Sequence, residues 1–226
     1  MATREARGKR RRPGAALPKV ERIPPRSGLS RAEVIANQRR RIFEGLAAAL
    51  VYHGYEDTKI TDVVELSGLS RATFYERFES KEDCFAAAYE DGVERLAGVV
   101  EAALQDERGW SWRVSVGLTA GLDFLAADPA LTHLLLVEAL AAARPARLEH
   151  ERSLVRLAEA LRPPAELPGG ERVPEETVRL LAGGLASHLS GRVLAGEAAR
   201  LGEDHDLLLA YLLTPALAAH ARVAAG

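Results

Sequence analysis

At 226 residues, 47% of them hydrophobic and only 5% aromatic, the chain is long enough to bury a sizeable core; its abundant Ala, Leu, Arg and Glu favour helices, where unbranched side chains lose little rotamer freedom. A lone cysteine, Cys84, excludes an intrachain disulfide, and no apolar run approaches the ~18 residues that cross a bilayer. The net charge of −2 hides an asymmetry, because residues 1–30 hold nine Lys or Arg against two Glu and the rest of the chain is acidic.

Residues 1–30 have too few apolar side chains to offset the entropy of ordering, so a disordered basic arm is expected there. It reads either as the polyanion-facing end of an acidic body or as a solvated tail. From residue 31, Ile35, Ile42, Phe43, Leu46, Ala49 and Leu50 recur at helical spacing, with Ser30 as N-cap and Gly54 as stop. Thr58 is the expected cap of a two-turn helix through Ile60, Val63 and Val64 that ends at Ser67-Gly68. Ser70 caps a third, carrying Arg71, Ala72, Thr73, Phe74 and Tyr75 to about Phe78-Glu79. Of its two adjacent aromatics only one can face the core, and Phe74 is assigned there. Ser80-x-x-Asp83 resembles a capping box for a long fourth helix to about residue 104.

Further helices are expected over about 110–127, 129–142, 145–161, 174–199 and 203–224, with a Pro/Gly-rich loop at 163–170 and a kink at Pro215. The reading is therefore an all-α chain. Its parts are the arm (1–30), a three-helix unit (31–80), and a larger helical region (81–226).

Two short helices joined by a tight turn at Gly68 and braced by a longer helix describe a helix-turn-helix. The stretch from Gly54 to Glu82, with its threonine before the second helix, Gly68-Leu69-Ser70 turn, Thr73-Phe74-Tyr75 and Phe78-Glu79-Ser80-Lys81-Glu82, resembles the DNA-binding signature of the tetracycline-repressor (TetR) family. Ala72 stands where that family usually has glycine, and Arg77 where it often has an aromatic. The resemblance implies a transcriptional regulator, with a three-helix helix-turn-helix DNA-binding domain over 31–80 and a larger C-terminal helical ligand-binding and dimerisation domain over 81–226. Ser70 offers a capped helix end, and Arg71 and Thr73 face the groove, Arg71 either gripping guanine O6 and N7 or clamping a phosphate. Ala72 either meets a thymine methyl or pushes the backbone slightly away, while Tyr75, Lys81, Lys59, Thr58 and Arg77 reach the backbone, with plain packing or a solvated face as the alternative for Tyr75 and Arg77.

One such unit reads few base pairs, so a homodimer on a palindromic double-stranded operator is expected. Gly183, Ser187, Gly191 and Ala195 recur every four residues as a small-residue stripe, and Leu208 and Leu212 lie in a final helix that is apolar all round; these are the candidate dimer contacts. The family likeness places a small, apolar effector in the middle helices, where Trp112, Asp123, His133, Glu138 and His188 are polar or aromatic groups near apolar faces. Each of these reads equally as a satisfied structural residue. A ligand wedged there would move the fourth helix and change the spacing of the recognition helices.

No Walker loop, GxGxxG, GxSxG, HExxH or CxxC occurs, so neither an enzyme nor a cofactor or metal site is expected. A cytoplasmic repressor without a membrane partner is the expectation. The competing reading is a helical protein-interaction module with a non-functional helix-turn-helix.

Overall fold

The structure, a computed structural model, describes residues 30–104, 109–142, 144–165, 167 and 173–224. The expectation for the basic arm, apart from Ser30, and that for residues 166 and 168–170 of the Pro/Gly-rich loop lie outside these residues. Ser30 starts α1 (Arg31–Asp57) with a complete capping box: its hydroxyl accepts from Glu33 N–H at 3.3 Å and the Glu33 carboxylate accepts from Ser30 N–H at 2.7 Å. Gly54 breaks the helix as expected, at φ 73°, a backbone region that favours glycine, and one further turn follows to Asp57. Then come α2 (Ile60–Ser67) and α3 (Arg71–Tyr75), linked by Gly68 at φ 64°, and α4 (Lys81–Ala103). Ser80 caps α4 at Asp83 N–H, but the Asp83 carboxylate reaches back to Glu79 N–H instead of completing the box.

The remaining helices are α5 (Trp110–Ala127), α6 (Pro129–Ala141), α7 (Arg144–Leu161), α8 (Glu175–Leu194) and α9 (His205–Ala224). Asp128 caps α6 through Leu131 N–H, and α6 turns 107° from α5. Two features differ from the sequence reading. The expected long helix over 174–199 stops at Leu194, because Gly196 adopts φ 82°, and a 3-10 turn (Ala198–Asp204) carries the chain to α9. Within α6, Leu134–Glu138 widen into a π turn.

No strand occurs among the described residues. The architecture is an N-terminal helix-turn-helix followed by a larger helical region. α1 lies on α2, α4 runs from the short helices into contact with α5 and α7, and α8 packs on α7 and α9. The core is continuous between them: Phe74 and Phe78 lie under α1, and Phe85 of α4 meets Tyr55 edge-on at 5.1 Å. Burying each such ring contributes about 1.5–3 kcal/mol, so this aromatic seam fixes α3 and the start of α4 against α1. Among the described residues no single helix is long and apolar enough to cross a membrane.

Candidate nucleic-acid interface

α3 is short and oriented from both ends. At its start the Ser70 hydroxyl accepts from Thr73 N–H at 3.1 Å and lies 2.9 Å from the Thr73 hydroxyl, so Thr73 is half-buried with its oxygen engaged locally. One turn later Phe74 is 1% exposed and anchors the helix in the core, while Tyr75 is 50% exposed. The assignment of the two aromatics follows from this single anchor. Arg71 and Tyr75, four residues apart, fall on one side of the helix, with exposed Ala72 beside them. Lys59, at the start of α2, is exposed too. Arg71, Tyr75 and Lys59 thus offer a guanidinium, a phenol and an ammonium to solvent near two helix starts, a set suited to phosphates and base edges.

Three residues expected at this surface are engaged inside the fold, and their roles are corrected. Thr58 does not cap α2; Lys59 occupies the cap position, its N–H donating to the Asp62 carboxylate at 2.9 Å. Thr58 is 2% exposed and its hydroxyl donates to Gly54 C=O at 2.7 Å, closing the turn after the kink. Lys81 does not resolve its placement at a helix start with a phosphate. Its ammonium donates to the carbonyls of Tyr55 (2.7 Å), Thr58 (3.1 Å) and Glu56 (3.4 Å) and rests 4.5 Å from the Tyr55 ring centre. A cation there complements the carbonyl end of α1. Arg77 is half-buried, with Nε and Nη2 donating to Gln38 Oε1 at 3.2 and 3.0 Å, which ties the residue after α3 to α1.

Sequence reasoning missed two supports of this surface. Arg41 donates to Ser67 C=O and Gly68 C=O at 2.8–3.2 Å and so caps α2 from α1. Gly45 lets the two helices touch: a Cβ there would lie 2.7 Å from Val63 C=O and 2.8 Å from Ser67 N. A glycine inside an amphipathic helix was the available signal, but it does not say which neighbour comes close.

Residues 42–88, which span α2, α3 and their bracing segments, match the family profile described as bacterial regulatory proteins, tetR family. That segment of the chain is similar to the DNA-binding part of the tetR family. Curated proteins similar to the chain include the HTH-type transcriptional repressor AcnR of Corynebacterium glutamicum, 29% identical over 85 residues (34% of this chain, 45% of that protein). The HTH-type transcriptional repressor ComR of Escherichia coli is 40% identical over 52 residues (23% of this chain, 25% of that protein). These matches therefore span half or less of each relative. Over the whole fold the chain is similar to the fatty acid degradation regulator FadR from Bacillus halodurans (TM-score 0.68, 17% identity, 78% of this chain and 94% of that one). It is also similar to FadR from Bacillus subtilis in complex with stearoyl-CoA (TM-score 0.66, 15% identity, 78% and 98%).

In the larger helical region, the five residues singled out in the middle helices do not form one cluster. His133 and Glu138 do meet, Nε2 to Oε1 at 3.0 Å, with Glu138 buried at the end of the π turn. His188 instead pairs with Asp204 Oδ2 at 2.8 Å across to the 3-10 turn, Asp123 is exposed, and Trp112 is half-buried on α5. A pair that sequence did not suggest is Tyr89 on α4 and His150 on α7, buried with the phenol 3.0 Å from Nδ1. Burial pushes the Tyr89 phenol up and the His150 imidazole down from their ordinary values.

The candidate dimer contacts divide in the same way. Gly183 is half-exposed, Ser187, Gly191 and Ala195 are exposed, and a Cβ on Gly183 or Gly191 would meet nothing within 4 Å. Leu208 and Leu212, by contrast, are each 3% exposed in the core of their own protomer, so their assignment to a partner is corrected. In a helix apolar on every side, composition cannot tell the inner stripe from the outer one. The outer apolar residues are Leu180 and Leu194 on α8 and Leu207, Tyr211 and Leu217 on α9.

Proposed function

We propose that this chain is a homodimeric repressor of transcription that grips a palindromic operator through its helix-turn-helix and releases it when a small, apolar effector enters the C-terminal region. In this reading residues 31–80 bind DNA, residues 81–226 bind effector and partner, and the basic arm lies ahead of both. The observation that carries it is the setting of α3: Phe74 locks the helix down while Arg71 and Tyr75 stand in solvent. Arg71 is the base-reading candidate, Lys59 and Tyr75 the phosphate contacts, with Ser70, Ala72 and Thr73 on the approaching turn.

The repressor names of AcnR and ComR support regulation by repression. The stearoyl-CoA complex of the fold relative FadR supports an apolar effector. Dimerisation is supported by the open small-residue stripe and by the five exposed apolar residues of α8 and α9, a face that one two-fold axis can cover on both copies.

The test is a gel-shift titration of the full chain on DNA flanking its own gene at several salt concentrations. The log-log salt slope should be steep, at about 0.9 per phosphate engaged, and Lys59→Ala should reduce it by about one such step. Arg71→Ala should weaken specific binding by roughly ten- to a hundredfold while leaving non-specific binding near wild type. Binding that barely responds to salt, or an Arg71→Ala variant as specific as wild type, would remove the reading.

A further inference from the structure

At the break at Gly54, Tyr55 N–H donates to the Glu138 carboxylate of α6 at 2.7 Å. Glu138 is buried, and its other oxygen lies 3.0 Å from His133 Nε2. The same residue is held from the other side, because Lys81 of α4 donates to Tyr55 C=O. One residue at the end of α1 is thus gripped at its N–H by α6 and at its C=O by α4.

Glu138 reaches this position because it closes the π turn Leu134–Glu138. A π turn carries a residue beyond the α count and recurs at functional sites. At 3.6 residues per turn, losing that extra residue rotates the remainder of the helix by about 100° around its axis, which carries the Glu138 side chain off the Gly54 kink. The turn is also met from behind: the Ser190 hydroxyl of α8 lies 2.7 Å from Leu136 C=O and 2.7 Å from Ala186 C=O of its own helix, so its one proton is shared between the two acceptors. On its third side Leu135 packs against Gly92 of α4, where a Cβ would come within 3.1 Å. The turn therefore touches α1, α4 and α8 together.

We infer that the π turn of α6 is a two-position latch, through which α8 and the neighbouring sensor helices set the end of α1: wide, with Glu138 on Tyr55 N–H, or narrow, with that bond open. Packed elements of this kind shift between discrete arrangements and do not deform smoothly. Ser190 is the positioning residue on the α8 side and Glu138 the one on the α1 side. As a regulatory device the latch rests on the proposed DNA binding, but its geometry does not depend on any DNA.

The experiment measures Tyr55 amide hydrogen exchange by NMR in the full chain, as wild type, Ser190→Ala, Glu138→Ala, Glu138→Gln and the Ser190→Ala/Glu138→Ala double variant, together with DNA affinity. Glu138→Ala should speed Tyr55 exchange by roughly ten- to a hundredfold, as expected on losing a hydrogen bond to a charged group. Glu138→Gln, which keeps an acceptor oxygen, should stay much closer to wild type. Ser190→Ala should speed it by about two- to thirtyfold from the far side of the turn, and the double variant should exchange no faster than Glu138→Ala alone. Ser190→Ala removes a single hydroxyl, so it tests the coupling even if Glu138→Ala fails to fold. Unchanged exchange in Ser190→Ala, or effects that multiply in the double variant, overturns the latch whether or not the chain binds DNA. Coupled exchange in a chain that binds no DNA leaves the latch standing and removes the DNA-binding reading instead.

Discussion

Replacing Gly45 by alanine sets two effects of known sign against each other. Alanine in a helix interior is favoured over glycine by about 1 kcal/mol. At Gly45, however, the added methyl would sit 2.7 Å from Val63 C=O, 2.8 Å from Ser67 N and 3.0 Å from Ser67 Cβ. Two of these are backbone atoms of α2, which Arg41 holds in place from α1, so no side-chain rotation relieves the contact and the helices must separate by roughly half an ångström. Overpacking of this kind costs about 1–3 kcal/mol, and rigid neighbours put Gly45 at the upper end, for a net loss of about 2 kcal/mol. Gly98, exposed on α4 with nothing within 4 Å of where a methyl would sit, is the control and should show the helix gain alone. Thermal unfolding followed by circular dichroism should place Gly45→Ala about 4–8 °C below wild type and Gly98→Ala about 2–4 °C above it. A Gly45→Ala variant that melts at or above wild type would refute the argument that the α1–α2 contact is limited by backbone spacing.

Other substitutions separate surface roles from structural ones. Lys81→Met should destabilise the chain by about 1–3 kcal/mol in urea titrations, by leaving the Tyr55 and Thr58 carbonyls short of their charged donor, whereas Lys59→Ala should leave stability within about 0.5 kcal/mol of wild type. Burial pushes the Cys84 thiol far up, so the thiolate is suppressed and maleimide labelling at pH 8 should occur only after the protein is unfolded. Because burial lowers the His150 value below 6.5, the unfolded chain takes up a proton there before the folded one. Stability should therefore decline as pH falls below about 6.5 and level off below the folded value; His150→Gln should flatten that part of a Tm-versus-pH curve. Leu180→Glu/Leu207→Glu should convert a dimer to monomer in sedimentation experiments, while Leu208→Ala should instead cost about 2–5 kcal/mol of stability through a cavity within one protomer.

Local signals were legible in the sequence and long-range ones were not. The caps at Ser30, Ser70 and Ser80 and the break at Gly54 depend on residues within four positions of one another, so spacing was enough to find them. Phe74 and Tyr75 could be told apart because one short helix has room for one anchor. The partners of Arg77 and Lys81 lie 39 and 23–26 positions away, and without them a cation beside a helix start looks like a phosphate ligand. Thr58 misled for a related reason: its hydroxyl turns back to Gly54 instead of forward to α2. The π turn leaves no mark in the hydrophobic pattern, since Leu134, Leu135 and Leu136 fit either helix width.

The two hydrogen bonds that hold the end of α1 use the backbone N–H and C=O of residue 55, while its ring adds packing on Phe85 and Lys81, and this shapes how the chain can vary. Exchanging the tyrosine side chain would disturb the packing on Phe85 yet keep both the donor and the acceptor that α6 and α4 use. Among single replacements at that site only proline deletes the N–H, so the joint is indifferent to nearly every mutation of the residue that forms it.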